Sequence, residues 1–173
     1  MLEGQVEQRT ILSFEPDAVS DWFVVNDGVM GGVSSSRIRP ASDDAAIFEG
    51  HLSLENNGGF ASVRARINEG ALSKASTVVL RVRGDGKRYQ LRLRMGRNWD
   101  GVSYAVSFET TADTWTTVEI PLRQFQPIFR GFVPRNARAL SPSRVEQIGL
   151  MVTDKQEGPF RLEISMLDAI IEP

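Results

Sequence analysis

Thr77-Val78-Val79-Leu80-Arg81-Val82-Arg83, then Gly84-Asp85-Gly86-Lys87, then Arg88-Tyr89-Gln90-Leu91-Arg92-Leu93-Arg94-Met95, is the stretch that decides the fold. Apolar and charged residues alternate, and a period of two marks a strand with one buried face. Val78, Leu80 and Val82 share a face with Tyr89, Leu91, Leu93 and Met95, while Arg81, Arg83, Arg88, Arg92 and Arg94 share the other. A helix would scatter these arginines around its circumference. Gly-Asp-Gly between two alternating runs is hairpin chemistry, so the stretch is expected to form one hairpin with an apolar side and a basic side.

Working outward, the same short alternating or apolar runs recur at Ile11 to Phe14, Ser35 to Arg39, Ala46 to Glu49, His51 to Leu54, Phe60 to Ile67, Ser103 to Glu109, Thr116 to Ile120, Gln147 to Val152 and Phe160 to Ile171. Gly, Pro, Asn or Asp bounds each of them. Asp17 to Trp22 and Ser143 to Gln147 are expected to form one or two helical turns at most. Many short strands separated by turns mark an all-β protein of two packed antiparallel sheets, though periodicity does not choose between a jelly roll and an immunoglobulin-like order. A length of 173 residues suits one core, so residues 1–173 are expected to form a single domain. Phe125 to Pro142, with Pro127, Pro134 and Pro142, reads as a surface connection tied down by its aromatics.

The formal net charge is only −2, yet ten Arg and Lys residues fall between Arg64 and Arg97 against Glu69 and Asp85. Lysine supplies just three of the 20 basic residues, and guanidinium is the group suited to planar, bidentate pairing with an anion. If the strand carrying Arg64 and Arg66 joined the hairpin sheet, seven arginines would project from one surface, and Arg64, Arg81 and Arg92 are its candidate partner-binding residues. The alternative is a solvated face balanced by Glu109, Glu119 and Glu163. Too few aromatics interleave with these arginines for base stacking, so no nucleic-acid partner is expected.

Catalytic chemistry has little to work with. There is no cysteine, and His51 is the only histidine, with no Ser-plus-Asp arrangement near it in sequence. Asp27, Asp43, Asp44, Asp85, Asp100 and Asp154 lack calcium-loop spacing, so neither a metal nor another cofactor is expected. Acids that become neighbours only in the fold leave a carboxylate enzyme open as a class. Met1 to Glu7 has neither the basic start of a secretory signal nor the arginine-rich, acid-poor character of a transit peptide. No apolar run approaches the ~20 residues of a membrane span. A cytoplasmic protein without direct membrane insertion is expected.

Two glycine segments stand apart: Asn26-Asp27-Gly28-Val29-Met30-Gly31-Gly32-Val33-Ser34 and Asn56-Asn57-Gly58-Gly59-Phe60. Neither the P-loop ending nor the dinucleotide glycine spacing fits. One reading is structural, with Asn26 and Asp27 bonding their own backbone in a turn. The other groups Trp22, Asn26, Asp27 and Met30 with Asn56 and Asn57 as a recognition surface of an aromatic face, amides and a thioether.

These segments, with Trp22, Asn26 to Ser36, Phe60 to Arg64, Trp115, Pro121-Leu122, Phe129-Arg130-Gly131, Ile148 to Met151 and Gly158-Pro159-Phe160, resemble the complex I intermediate-associated protein family. The chain looks like a bacterial-type, single-domain member with a family-like core over about residues 10–171. The resemblance implies a galactose-binding-type jelly roll and a non-enzymatic, chaperone-like role in assembly through a protein partner. It also adds Arg130 to the candidate contacts. Fold kinship supplies the alternative of a carbohydrate-binding module, with Trp22, Trp99 and Trp115 as stacking platforms.

Overall fold

The structure, a computed structural model, describes residues 5–97 and 101–173, so Trp99 and Asp100 lie outside the described residues. In chain order the strands are β1 (Glu7–Leu12), β2 (Phe23–Val24), β3 (Ser35–Ser42), β4 (Ala45–Leu52), β5 (Ala61–Arg66), β6 (Ala75–Arg83), β7 (Arg88–Met95), β8 (Ser103–Glu109), β9 (Trp115–Pro121), β10 (Gln126–Ile128), β11 (Val145–Val152) and β12 (Gly158–Ile171). The first sheet runs β3-β4-β12-β6-β9, with β1 on the C-terminal half of β12; the second runs β10-β8-β7-β11-β5-β2. All pairings between these strands are antiparallel. Consecutive strands stay in one sheet only at β3 to β4, β7 to β8 and β10 to β11, and every other connection between them changes sheet, giving a two-sheet jelly-roll sandwich.

The expected β6–β7 hairpin is corrected: β6 pairs with β12 and β9 in the first sheet, and β7 with β11 and β8 in the second. Alternation holds, because Val78, Leu80 and Val82 face the same core as Tyr89, Leu91 and Leu93 from its opposite side. The connecting residues are bonded within the turn, to β7 and to β12. Asp85 accepts hydrogen bonds from the N–H of Lys87 (3.1 Å), the Tyr89 hydroxyl (3.0 Å) and the N–H of Arg161 on β12 (2.9 Å). Gly84 lies against Thr110, where a Cβ would come within 2.3 Å of the side chain. These contacts make a corner between sheets.

Phe48 and Phe160 from the first sheet meet Tyr89 and Phe108 from the second in the core, with the Phe48 and Phe160 rings 4.9 Å apart. Gly50 merges the two runs expected around it into one β4, because a Cβ there would lie 2.0 Å from the Ser35 carbonyl of β3. Helix is confined to short pieces. Pro16–Val19 forms α1, starting on proline, whose missing N–H is no loss in a first turn. At Ser143 to Gln147, a 3-10 turn over Pro142–Arg144 gives way to β11.

Asp27 ties the glycine segments together. It is 0% exposed, and it accepts from the N–H (3.0 Å) and hydroxyl (2.6 Å) of Ser34 and from the N–H of Gly59 (2.8 Å). A Cβ on Gly32 or Gly58 would fall 2.4 or 2.5 Å from this carboxylate, so the glycines make room for it. Asn26 completes the tie: its Oδ1 accepts from the Ser36 hydroxyl (2.7 Å) and the Ser62 N–H (3.0 Å). Burial pushes the Asp27 carboxyl up, but the hydrogen bonds from Ser34, Gly59 and Phe60 outweigh it and hold the carboxyl below its ordinary value.

Asp27→Ala is expected to lower the unfolding free energy by roughly 2–4 kcal/mol, read from urea midpoints, because it leaves buried donors unmatched. The folded pKa lies below the unfolded value of 3.8, so this stabilisation is complete above that value and disappears as pH falls through the lowered one. Midpoints followed from about pH 6 to pH 2 are expected to fall more steeply for the native chain than for Asp27→Asn. Parallel curves would show that Asp27 carries no such linkage.

Candidate functional site

Gly149 of β11 lies at the centre of the outer face of the second sheet, in register with Arg92 of β7 on one side and Arg64 of β5 on the other. The alternation that sends Leu91, Leu93, Ile148, Leu150, Val63 and Ala65 into the core sends the residues between them outward. One cross-strand row reads Ala105, Arg92, Gly149, Arg64, Phe23; the next reads Arg94, Gln147, Arg66. Arg64, Arg66, Arg92 and Arg94 therefore form a two-by-two array, with about 10 Å between the backbones of each row's pair across β11. None of the described residues in these two rows is acidic.

Although it points away from the core, much of this face is sheltered, and Arg66 is its exposed arginine. Arg94 is 9% exposed, and Ser103, Ala105, Gln147 and Met151 are also buried. Glycine keeps the floor low between the two stems: a Cβ at position 149 would meet the Val63 carbonyl at 3.2 Å and the Arg64 side chain at 3.5 Å. Arg92 is held by neutral groups, donating from Nε (3.1 Å) and Nη2 (2.8 Å) to Gln90 Oε1 and from Nη1 to the Ser103 hydroxyl (3.1 Å). Burial, and then the neighbouring charge of Arg64, push the Arg92 guanidinium down to about 10, with Asp154 opposing. Two positive charges sharing a sheltered face favour an anion between them.

On the first sheet's outer face, carboxylates stand among the arginines. Arg83 donates to Glu163 (2.9 Å), which also pairs with Arg161 (3.4 Å), and Glu49 joins Arg37 (2.7 Å) and Arg39 (2.8 Å). The Arg39 hydrogen bond, against burial, holds the Glu49 carboxyl below its ordinary value. Arg81 and Arg83 both lie over the Trp115 ring, at 5.4 Å. The seven arginines expected on one surface are thus divided, because β6 and β7 belong to different sheets. Arg88 sits at the end of the second face, paired with Asp154 (3.0 Å).

The expected recognition surface around the glycine segments is also corrected in its central members. Trp22 is 7% exposed and stacks on Phe14 within the core, and Asn26 and Asp27 are engaged in the internal tie. Met30, Asn56 and Asn57 are exposed near it, the two asparagines in the left-handed conformation that their short side chains tolerate. Arg130, also left-handed, lies over Phe129 on the far loop. Of the tryptophans expected as sugar platforms, Trp22 is buried and Trp115 lies beneath two guanidinium groups. His51 is exposed on β4, and among the described residues no group of three His, Cys, Asp or Glu could hold a metal.

Gln90, Ser103 and Gly149 escaped the sequence reading as site residues. Gly149 did carry a signal, since a glycine inside an otherwise apolar strand marks close approach. Gln90, two positions before Arg92 on the same face of β7, was within reach of the alternation, whereas Ser103 became visible only once β8 lay beside β7.

The profile of the Complex I intermediate-associated protein 30 (CIA30) family matches residues 12–164. Two curated relatives carry the name Complex I intermediate-associated protein 30, mitochondrial. The Mus musculus protein is 28% identical over 96% of this chain and 57% of its own length, and the Drosophila melanogaster protein 24% over 96% and 64%. The chain thus spans about three fifths of these relatives. Among solved structures, the family 11 carbohydrate-binding module of the cellulosomal cellulase Lic26A-Cel5E of Clostridium thermocellum superposes with a TM-score of 0.74 at 16% identity, covering 98% of this chain and 97% of the module. The family 11 module of that organism in complex with a β-1,3-1,4-mixed-linked tetrasaccharide gives 0.71 at 16% identity, covering 97% and 98%. Those likenesses describe the sandwich, whereas the profile match spans most of the sequence, and on it the chain belongs to the complex I intermediate-associated protein 30 family.

Proposed function

We propose that this chain is a single-domain, non-enzymatic binding module that holds a protein partner during assembly of a respiratory or other membrane complex. The observation carrying the reading is the array of Arg64, Arg66, Arg92 and Arg94 around Gly149 on the outer face of the second sheet, where Arg94 is buried, Arg64 and Arg92 are half-buried and Arg66 is exposed. Carboxylate side chains of a partner segment suit it, because guanidinium groups pair with carboxylates through parallel hydrogen bonds that sheltering strengthens. The relatives' names support assembly of complex I as the setting. A cytoplasmic working place belongs to the same proposal, and the relatives are mitochondrial by name.

A carbohydrate ligand is the second reading, favoured by the sandwich's likeness to the family 11 modules. The rows of the face speak against it. Sugar sites combine aromatic stacking with a few polar groups, and here Phe23 at the β2 edge is the only aromatic among the described residues of the two rows.

Affinity purification from the native organism, with mass spectrometry, is expected to recover subunits of a membrane complex with the native chain. Arg64→Gln combined with Arg92→Gln should cut that recovery at least about tenfold at low salt, and raising salt should weaken native capture. A melting transition kept within a few degrees (roughly 1 kcal/mol) separates this effect from unfolding. Undiminished capture by the double variant overturns the assignment of the face. Saturable binding of a mixed-linked β-glucan, followed by tryptophan fluorescence, would support the carbohydrate reading instead.

A further inference from the structure

We infer that the hairpin Phe129-Arg130-Gly131-Phe132-Val133 is a contact for an anionic membrane surface. The turn is tight: the N–H of Phe129 donates to the Phe132 carbonyl (2.8 Å), and the N–H of Phe132 donates back to the Phe129 carbonyl (3.0 Å). Arg130 (φ 50°) and Gly131 (φ 83°) both take the left-handed conformation of a two-residue hairpin turn. Apolar side chains stand at its tip in water, with Phe132 77% and Val133 64% exposed. The base is pinned. Phe125 is buried, Leu140 packs on the core, and the Tyr104 hydroxyl donates to the Arg138 carbonyl.

Charge surrounds this apolar tip. From Ile120 to Val145 there is no acidic residue, and Arg123, Arg130, Arg135, Arg138 and Arg144 are all exposed. Arg123 and Arg138 line one groove together beside Tyr104 and Phe125, and the Arg130 guanidinium sits 5.2 Å from the centre of the Phe129 ring. A convex tip of two apolar residues offers far less than the ~800 Å² that a stable protein interface takes from each partner. A lipid interface accepts such a wedge, with aromatic rings at headgroup depth and guanidinium groups on the phosphates. Weak apolar insertion and a cluster of positive charge must act together, since either alone gives marginal membrane binding. The contact is peripheral; no described helix is long and apolar enough to cross a membrane.

This contact does not involve the Arg64 and Arg92 face, and one experiment keeps the two apart. Co-sedimentation is measured with phosphatidylcholine vesicles containing about 30% phosphatidylglycerol and with phosphatidylcholine alone. The native chain is expected to bind the anionic vesicles at least about tenfold more strongly, with binding falling as salt rises. Phe132→Ser with Val133→Ser, and separately Arg130→Gln with Arg135→Gln and Arg138→Gln, should each lower that binding at least about tenfold. Both sets are exposed, so melting should be unchanged. Arg64→Gln with Arg92→Gln should keep vesicle binding within about twofold. Equal sedimentation of native and hairpin variants, or indifference to anionic lipid, overturns the inference. So does loss of protein capture in the hairpin variants without any vesicle binding by the native chain, which would make the tip a protein contact.

Discussion

A single buried carboxylate closes the end of the sandwich where the two glycine segments meet. Asp27 lies inside, away from solvent, and its oxygens are satisfied by Ser34 on the approach to β3 and by Gly59 just before β5. Those strands belong to opposite sheets, so one ionised group fixes how the sheets meet at this end. An internal carboxylate is costly unless its acceptors are filled, and here the surrounding donors are the compensation. Gly32 and Gly58 follow from that arrangement, since any side chain at either position would collide with Asp27.

The two outer faces then diverge in character. On the first sheet, Glu49 and Glu163 draw arginines into ion pairs and Trp115 lies beneath two guanidinium groups, which makes a self-contained surface. On the second, Arg92 is anchored by neutral Gln90 and Ser103 and keeps its charge beside that of Arg64. The difference comes from the crossover at Asp85, which delivers the arginines of β6 to one face and those of β7 to the other. Topology rather than composition concentrates the cationic array.

Alternation identified the strands, because successive side chains of a strand face opposite sides and that period is written directly in the chain. It did not reveal which sheet a strand joins. Leu80 and Leu91 would alternate identically whether their strands paired or faced each other across the core, so the hairpin expectation failed for a reason local pattern cannot detect. The glycine segments were legible as special, and their structural reading prevailed over the surface reading for Trp22, Asn26 and Asp27. What decided it was the approach of Gly59 to Asp27 across 32 positions of sequence, a contact no local spacing encodes. Arg64 and Arg92 were visible as candidates, while the glycine between them acquired meaning only from the strand register.

β12 is unusual in its reach. Its 14 residues border β4 and β1 along one side and β6 along the other, so it is the central member of the first sheet although it comes last among the strands. As the polypeptide emerges during translation, β3 and β4 cannot be bridged to β6 and β9 until β12 has followed them out. Completion of that layer therefore waits on β12, and the nascent chain passes through a stage in which one half of the sandwich lacks its middle.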